Sequence, residues 1–164
     1  MIGIKESLMI VKCALTLILA ISPRESEMLE QVEVAKDIIM MSDTYNDQTD
    51  LLAIAAIESR YMKGLKSSMD AQGVFQIREI ANVDVNEHFN LKLDRYSYAD
   101  NLRIGKLYWK LIGTRYSDLT ERIIAYNAGH SWVIKFRKTG HLPKETINYI
   151  KKFNKLKRLC NNET

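Results

Sequence analysis

The chain has 164 residues, of which 46% are hydrophobic and 27% are charged, and it carries a net charge of +4. These proportions are typical of one globular domain with a sizeable core, and they exclude a long disordered or low-complexity protein. The positive charge favours anionic partners such as nucleic acid, anionic lipid or a bacterial cell wall, but selects none of them. The 2 cysteines and 3 histidines lack the spacing of zinc ligands, so we predict neither a metal site nor a disulfide framework.

The N-terminal segment differs from the rest of the chain. Lys5 and Lys12 are its basic residues, and the uncharged stretch CALTLILAI after Lys12 has the length of a signal-peptide apolar region. That stretch is too short to span a bilayer by itself. We therefore predict a separate element at residues 1–22, ahead of a main domain at residues 23–164. It is an export signal, an uncleaved anchor in contact with a membrane, or a helix docked on a partner.

The remaining pattern is helical. Apolar residues recur at helical spacing in six stretches, which cover residues 23–41, 47–58, 98–113, 117–128, 131–140 and 143–159. Gly129 is expected to cap the fourth of these helices. Residues 62–72 read as a loop, residues 73–82 as a short helix and residues 82–97 as irregular, with room for a small β-hairpin between Ser67 and Asp94. We predict a mainly α protein.

One carboxylate stands at the end of an apolar helix. Glu58 directly follows the stretch AIAAI, and a polar loop with a glycine comes soon after it. A carboxyl group in an apolar wall has its neutral form favoured, so its pKa rises. A carboxylic acid that stays protonated near neutral pH can donate a proton to a leaving oxygen, as glycosidic bond cleavage requires. The alternative is a glutamate turned to solvent near a helix end.

Four short motifs occur in order along the chain, namely ES at 58–59, GVFQI at 73–77, AYNAG at 125–129 and ETINYIKK at 145–152, and a serine at 67 stands between the first and the second. Together they resemble the motifs of the soluble lytic transglycosylase family over residues 51–152. The resemblance implies an α+β, lysozyme-like fold related to goose-type lysozymes, with a helical bundle around a sugar-binding cleft. It also implies cleavage of the MurNAc–GlcNAc β-1,4 bond of peptidoglycan with formation of 1,6-anhydro-MurNAc, without a metal or a cofactor.

By this resemblance, Glu58 is the single catalytic acid, which later acts as the base toward the muramic C6 hydroxyl. Ser67 is expected to hydrogen-bond the carboxyl group of Glu58 or the substrate acetamide. Val74 and Phe75 replace the leucine and methionine usual in the family. Phe75 is expected to line the sugar groove, and Gln76 to bind sugar hydroxyls or to hold the loop.

The third and fourth motifs supply the other substrate-binding candidates. Tyr126 is expected to point at Glu58 or at the acetamide, and Asn127 to tie the helix end to the groove. Glu145 and Tyr149 lie four residues apart, hence on one helical face. Tyr149 is expected to stack on or hydrogen-bond a sugar. Glu145 is expected to bind substrate or orient the site, with a surface ion pair as the alternative.

Two other functions stay open. Asp70 stands where many relatives have glycine, and it can position a water, which would make the protein a goose-type-lysozyme-like hydrolase. The chain can also be a non-catalytic wall-binding or structural part of a secretion apparatus or phage particle. The C-terminal stretch KKFNKLKRL favours a solvated basic face over a nucleic-acid site, so we predict no specific nucleic acid. We expect the protein in the periplasm or cell envelope, exported or anchored, or in a virion, and expect it to open the wall locally for an envelope-crossing machine.

Overall fold

The computed structural model describes residues 4–21 and 24–161. These residues form eight α-helices, which are α1 (Ile4–Ala20), α2 (Glu25–Met41), α3 (Tyr45–Glu58), α4 (Glu79–Phe89), α5 (Tyr98–Arg115), α6 (Leu119–Ala128), α7 (His130–Thr139) and α8 (Lys144–Asn161). The described ranges contain no regular strand. Two isolated antiparallel bridges, Lys66–Gln72 and Gln72–Ile77, stand where we allowed for a hairpin. The mainly α prediction is confirmed.

Helix α3 is the centre of the core. Its residues from Leu51 to Ala56 are all buried, because the sequence places apolar and small side chains on every face of this helix. Helices α1, α2, α5 and α8 pack around it. The helix begins at a side-chain cap, where the hydroxyl of Thr44 accepts the backbone N–H of Asp47 at 3.1 Å. A fully surrounded helix fixes the position of its last residue, Glu58, relative to the rest of the fold.

Helix α1 packs into the same core as the later helices. Its buried residues recur at helical spacing (Ile10, Cys13, Ala14, Leu17 and Ile18), and this face lies against α3 and α8. Cys13 forms a disulfide with Cys160 of α8, with a Cα–Cα distance of 4.4 Å. Our prediction of no disulfide was therefore wrong. The two cysteines are 147 residues apart in sequence, and only the docking of α1 on α8 brings them together.

The predicted boundary between residues 22 and 23 lies outside the described residues. The role of residues 1–22 as an export signal, an anchor or a docking element stays a prediction. None of the described helices combines the length and the apolar composition that a membrane-spanning segment needs.

The region between α3 and α5 corrects two sequence predictions. Residues 73–76 form a turn rather than a helix, and α4 begins at Glu79 and continues to Phe89 through a stretch that we predicted to be irregular. The polar residues of this stretch weaken the apolar pattern that would predict the helix. They stabilise α4 through contacts with residues outside it. The side-chain amide of Asn86 donates to the Leu93 carbonyl at 2.9 Å and accepts the Leu93 N–H at 2.8 Å. Asn90, in the left-handed region with a φ of 51°, ends the helix.

Candidate active site

A cleft of about 960 Å³ opens beside the end of α3. Its walls come from the loop after α3 and the start of α4, from the last residues of α6, and from single residues of α5 and α8. Glu58, Ser67, Gln76 and Glu145 all line it, and so do Tyr126 and Asn127 of the third motif. The fold thus brings into one cleft motif residues that are up to 87 positions apart (58 to 145) in the chain.

Glu58 is half-buried in the cleft wall. Burial raises the pKa of its carboxyl group from 4.5 to about 7, because the apolar surroundings penalise the charged form. A hydrogen bond from the Tyr149 hydroxyl to Oε1 at 2.7 Å opposes this rise, since it stabilises the carboxylate. The nearby charge of Glu145 raises the pKa of Glu58 further. Glu58 can therefore hold or release a proton near neutral pH, as an acid and base in turn must do.

The loop after α3 is held by its own side chains. The hydroxyl oxygen of Ser67 accepts the backbone N–H of Met69 at 3.2 Å and that of Ala71 at 3.0 Å. The amide of Gln76 donates to the carbonyls of Leu65 at 3.0 Å and Gly73 at 2.9 Å. Both side chains hold the loop and line the cleft. Because these bonds use neither the hydroxyl proton of Ser67 nor the amide oxygen of Gln76, both groups can serve a ligand.

Asn101 of α5, buried at 1% exposure, ties this loop to the helical core. Its amide donates to the carbonyls of Gln72 at 2.8 Å and Arg95 at 3.0 Å, and its oxygen accepts the N–H of Phe75 at 3.2 Å. Gly73 lies directly against it, with a φ of 69°, and a Cβ at that position would come within 2.7 Å of the Asn101 side chain. The glycine of the second motif is therefore required by both backbone conformation and close packing.

A buried arginine organises the other side of the loop. The guanidinium of Arg95, 4% exposed, pairs with Asp70 at 2.6 Å and with Glu79 at 2.9 Å. Asp70 also accepts from Lys66 at 3.0 Å and from Gln72 at 3.0 Å. Hydrogen bonds from Arg95 and Lys66 lower the pKa of Asp70 to about 2, so this carboxylate stays ionised. Asp70 lines the cleft as the partner of two cations.

Three of the predicted substrate contacts, Phe75, Tyr126 and Tyr149, make other contacts in the structure. Phe75 is fully buried and packs against Gly105, so the prediction that its side chain lines the groove was wrong. Its place in the core follows from the turn at residues 73–76, which directs this position inward. The hydroxyl of Tyr126 donates to the Phe75 carbonyl at 2.8 Å rather than to Glu58. Tyr149 is 7% exposed, and its hydroxyl contacts Glu58.

A family model described as the transglycosylase SLT domain matches residues 38–148, more than half of the chain. The chain belongs to this family. The matched range of the SLT domain includes every residue that lines the cleft, together with the central helix α3. Helix α1 and the last part of α8, which carry the disulfide, lie outside the matched range.

The fold of the SLT domain has a counterpart among solved structures. The X-ray structure of an inactive mutant of lytic transglycosylase Slt from Pseudomonas aeruginosa matches it with a TM-score of 0.63 and 18% sequence identity. The match covers 80% of this chain and 23% of that one, so this chain spans less than a quarter of that protein. At this identity the likeness concerns the fold alone. No curated protein gives a significant match.

Among the residues of the site that sequence reasoning missed, three position its walls. Tyr108 lines the cleft from α5, and Asn101 and Arg95 hold the loop in place. For Asn101 the signal was present, because it is a polar residue on the buried face of an amphipathic helix, four residues before Gly105. Arg95 gives no such signal, because nothing in its local sequence distinguishes a buried arginine from an exposed one.

Proposed function

We propose that this SLT domain is a peptidoglycan lytic transglycosylase in which Glu58 is the single catalytic residue. The carboxyl group of Glu58 donates its proton to the oxygen of the bond between MurNAc C1 and GlcNAc O4, and that C–O bond breaks. The Glu58 carboxylate then takes the proton of the muramic C6 hydroxyl, and the oxygen of that hydroxyl bonds to C1. The products are a GlcNAc hydroxyl end and a 1,6-anhydro-MurNAc end, and no water is consumed. The observation that carries this proposal is the place of Glu58 in the cleft wall, half-buried and held by the Tyr149 hydroxyl at 2.7 Å, and burial there raises its pKa to about 7.

The ion pairs of Asp70 support the muramic C6 hydroxyl of the substrate as the nucleophile. Most glycosidases need two carboxyl groups, one of them a nucleophile or a base for water. Asp70 is bound to Arg95, Lys66 and Gln72, and its pKa of about 2 makes it a weak base. This arrangement favours ring closure by the C6 hydroxyl over a hydrolase that depends on Asp70.

The remaining residues then serve to position the substrate and Glu58. Tyr149 orients the Glu58 carboxyl group through its hydroxyl and keeps the pKa from rising further. Glu145 and Asn127 line the cleft from α8 and α6, where they can accept or donate hydrogen bonds to sugar hydroxyls and acetamides. Ser67, Gln76 and Tyr126 complete the polar lining, and Phe75 acts from the core by supporting Tyr126.

The reaction products test the proposal. Purified sacculi are digested with the protein, and the released fragments are analysed by mass spectrometry. We expect 1,6-anhydro ends from the wild type, none from Glu58→Gln, and undiminished release from the matched control Glu87→Gln, an exposed glutamate of α4. Reducing ends would establish the goose-type hydrolase instead. No products from a folded sample that still binds sacculi would leave the non-catalytic wall-binding function.

The disulfide supports a location outside the cytoplasm. Structural disulfides form and persist in oxidising compartments, such as the periplasm or the cell surface. Peptidoglycan lies in the same space, so we place the protein in the cell envelope. Its service to an envelope-crossing machine, its presence in a virion and a membrane contact through residues 1–22 stay predictions. Fractionation of cells that express the full chain, with detection of the Cys13–Cys160 bond on non-reducing gels, tests the location.

A further inference from the structure

An arginine at the start of α4 lines the cleft and is left without a carboxylate. Arg78 is exposed at the N-terminus of the helix, where its side chain makes no capping hydrogen bond. Among the residues that the structure describes, its guanidinium has no ion-pair partner and stacks on no ring. It is also the one basic side chain that lines the cleft in the described chain. The cleft therefore offers a single cationic group to a ligand.

The neighbouring carboxylates are not available to Arg78. Glu79, the next residue, is paired with the buried Arg95 at 2.9 Å, and Asp70 is paired with Arg95 at 2.6 Å and with Lys66 at 3.0 Å. Because Arg95 is held in the core by its own contacts, both acids are directed toward it. The loop thus neutralises its own acids internally and leaves Arg78 to face the cleft.

The chemistry of a peptidoglycan strand says what such a cation can bind. The GlcNAc and MurNAc rings carry hydroxyls and acetamides, which are neutral, and the lactyl carboxyl of MurNAc is consumed where a peptide is attached. The free carboxylates of a peptide-bearing strand are therefore those of its stem peptides. A planar guanidinium is well suited to pair with a carboxylate through two hydrogen bonds.

Two apolar side chains flank this arginine in the cleft. Met69 is 70% exposed and Ile80 is 68% exposed, and both line the same cavity. Large apolar side chains left exposed in a cleft are typical of ligand contacts. They match the methyl groups of the lactyl ether and of an alanine at the start of a stem peptide, next to a carboxylate.

We infer that Arg78, flanked by Met69 and Ile80, is a specificity-determining residue that binds a stem-peptide carboxylate, so that the protein prefers peptide-bearing strands over bare glycan. This inference rests on the proposed function, because it takes peptidoglycan as the ligand. It adds a residue outside the expected set of sugar contacts, since Arg78 directly follows the GVFQI motif. The interaction is electrostatic, so added salt weakens it.

Binding, measured apart from catalysis, tests the inference. The Glu58→Gln protein is titrated with peptide-bearing glycan strands and with the same strands stripped of peptides by an amidase and then amidated at the lactyl carboxyl groups that the amidase frees. We expect peptide-bearing strands to bind more tightly. Adding Arg78→Gln should weaken their binding about five-fold, as for one exposed charge pair, and leave stripped strands unaffected. Arg78→Lys should retain part of the preference, and Arg103→Gln, an exposed arginine outside this cleft, should change nothing.

The outcomes separate the two proposals. An equal loss on both kinds of strand, or no loss on peptide-bearing strands, would overturn the role of Arg78. Circular dichroism of each variant establishes that it is folded before binding is measured. If the wild type releases no products but the peptide-dependent loss is observed, the catalytic proposal fails and the binding inference stands. If products are released and peptide makes no difference to binding, the reverse holds.

Discussion

Replacing Glu58 by glutamine should stabilise the protein at alkaline pH. Glutamine keeps the size of the side chain and an oxygen that can accept the hydrogen bond from Tyr149, but it has no charged form to desolvate. The carboxyl group of Glu58 has a pKa of about 7 in the folded protein, compared with an ordinary value of 4.5. Above pH 7, the wild type must therefore keep an ionised group in surroundings that favour its neutral form.

The magnitude follows from the two pKa values. The folded state binds the proton more tightly than the unfolded state, so the free energy of unfolding falls as the pH rises from 4.5 through 7 and is lowest above 7. A pKa difference of about 2.5, at about 1.4 kcal/mol for each pH unit, corresponds to about 3 kcal/mol. At pH 5 less than about 1 kcal/mol of this destabilisation is present, because most of the native carboxyl groups are protonated.

Urea denaturation followed by circular dichroism at pH 5 and pH 8 measures this difference. We expect Glu58→Gln to exceed the wild type by about 3 kcal/mol at pH 8 and to differ little at pH 5. Glu87→Gln, at an exposed site on α4, should have the same free energy of unfolding as the wild type at both pH values. A Glu58→Gln variant that gains no stability relative to the wild type between the two pH values would refute the raised pKa, and with it the protonated acid on which the mechanism depends.

Three further predictions follow from the contacts. Tyr149→Phe removes the hydrogen bond that lowers the pKa of Glu58, so the alkaline limb of the pH–rate profile should move to higher pH; a limb that stays in place or moves down contradicts this role. Cys13→Ser should lower the free energy of unfolding by about 4 kcal/mol, because the disulfide closes a long loop, and the reductant-treated wild type should match it; insensitivity to reductant would argue against the Cys13–Cys160 bond. Asn101→Ala should lower the free energy of unfolding by about 3 kcal/mol and raise KM, because the buried N–H of Phe75 loses its acceptor and the carbonyls of Gln72 and Arg95 lose their donor. A loss below about 1 kcal/mol in urea denaturation would contradict it.

Much of the fold was predictable because its signals are local. Helical spacing of apolar residues gave the class, and Gly129 was correctly assigned as the cap that ends α6. The part of helix α4 after Asn82 escaped prediction because residues such as Asp84 and Asn86 weaken the apolar pattern. Its stability depends instead on the packing of Ala81 and Val85 and on the contact between Asn86 and Leu93.

The candidate site divides in the same way. The position of Glu58 at the end of an apolar helix, and the order of the motifs behind it, are written in the chain and predict an acid with a raised pKa. The inward direction of Phe75 and the ion pair between Asp70 and Arg95 could not be predicted from the sequence. Each depends on residues 25 or more positions away in the chain or on the packing of a turn.

The sequence by itself determined a helical domain of the transglycosylase family, with an acid at residue 58, because spacing and motif order are properties of the chain. The tertiary structure alone decided that Cys13 meets Cys160, that Arg95 neutralises the acids of the cleft loop, and that Arg78 has no carboxylate partner within the described ranges. Burial, ion pairing and cross-linking depend on which distant segments come into contact, and no local pattern encodes those contacts.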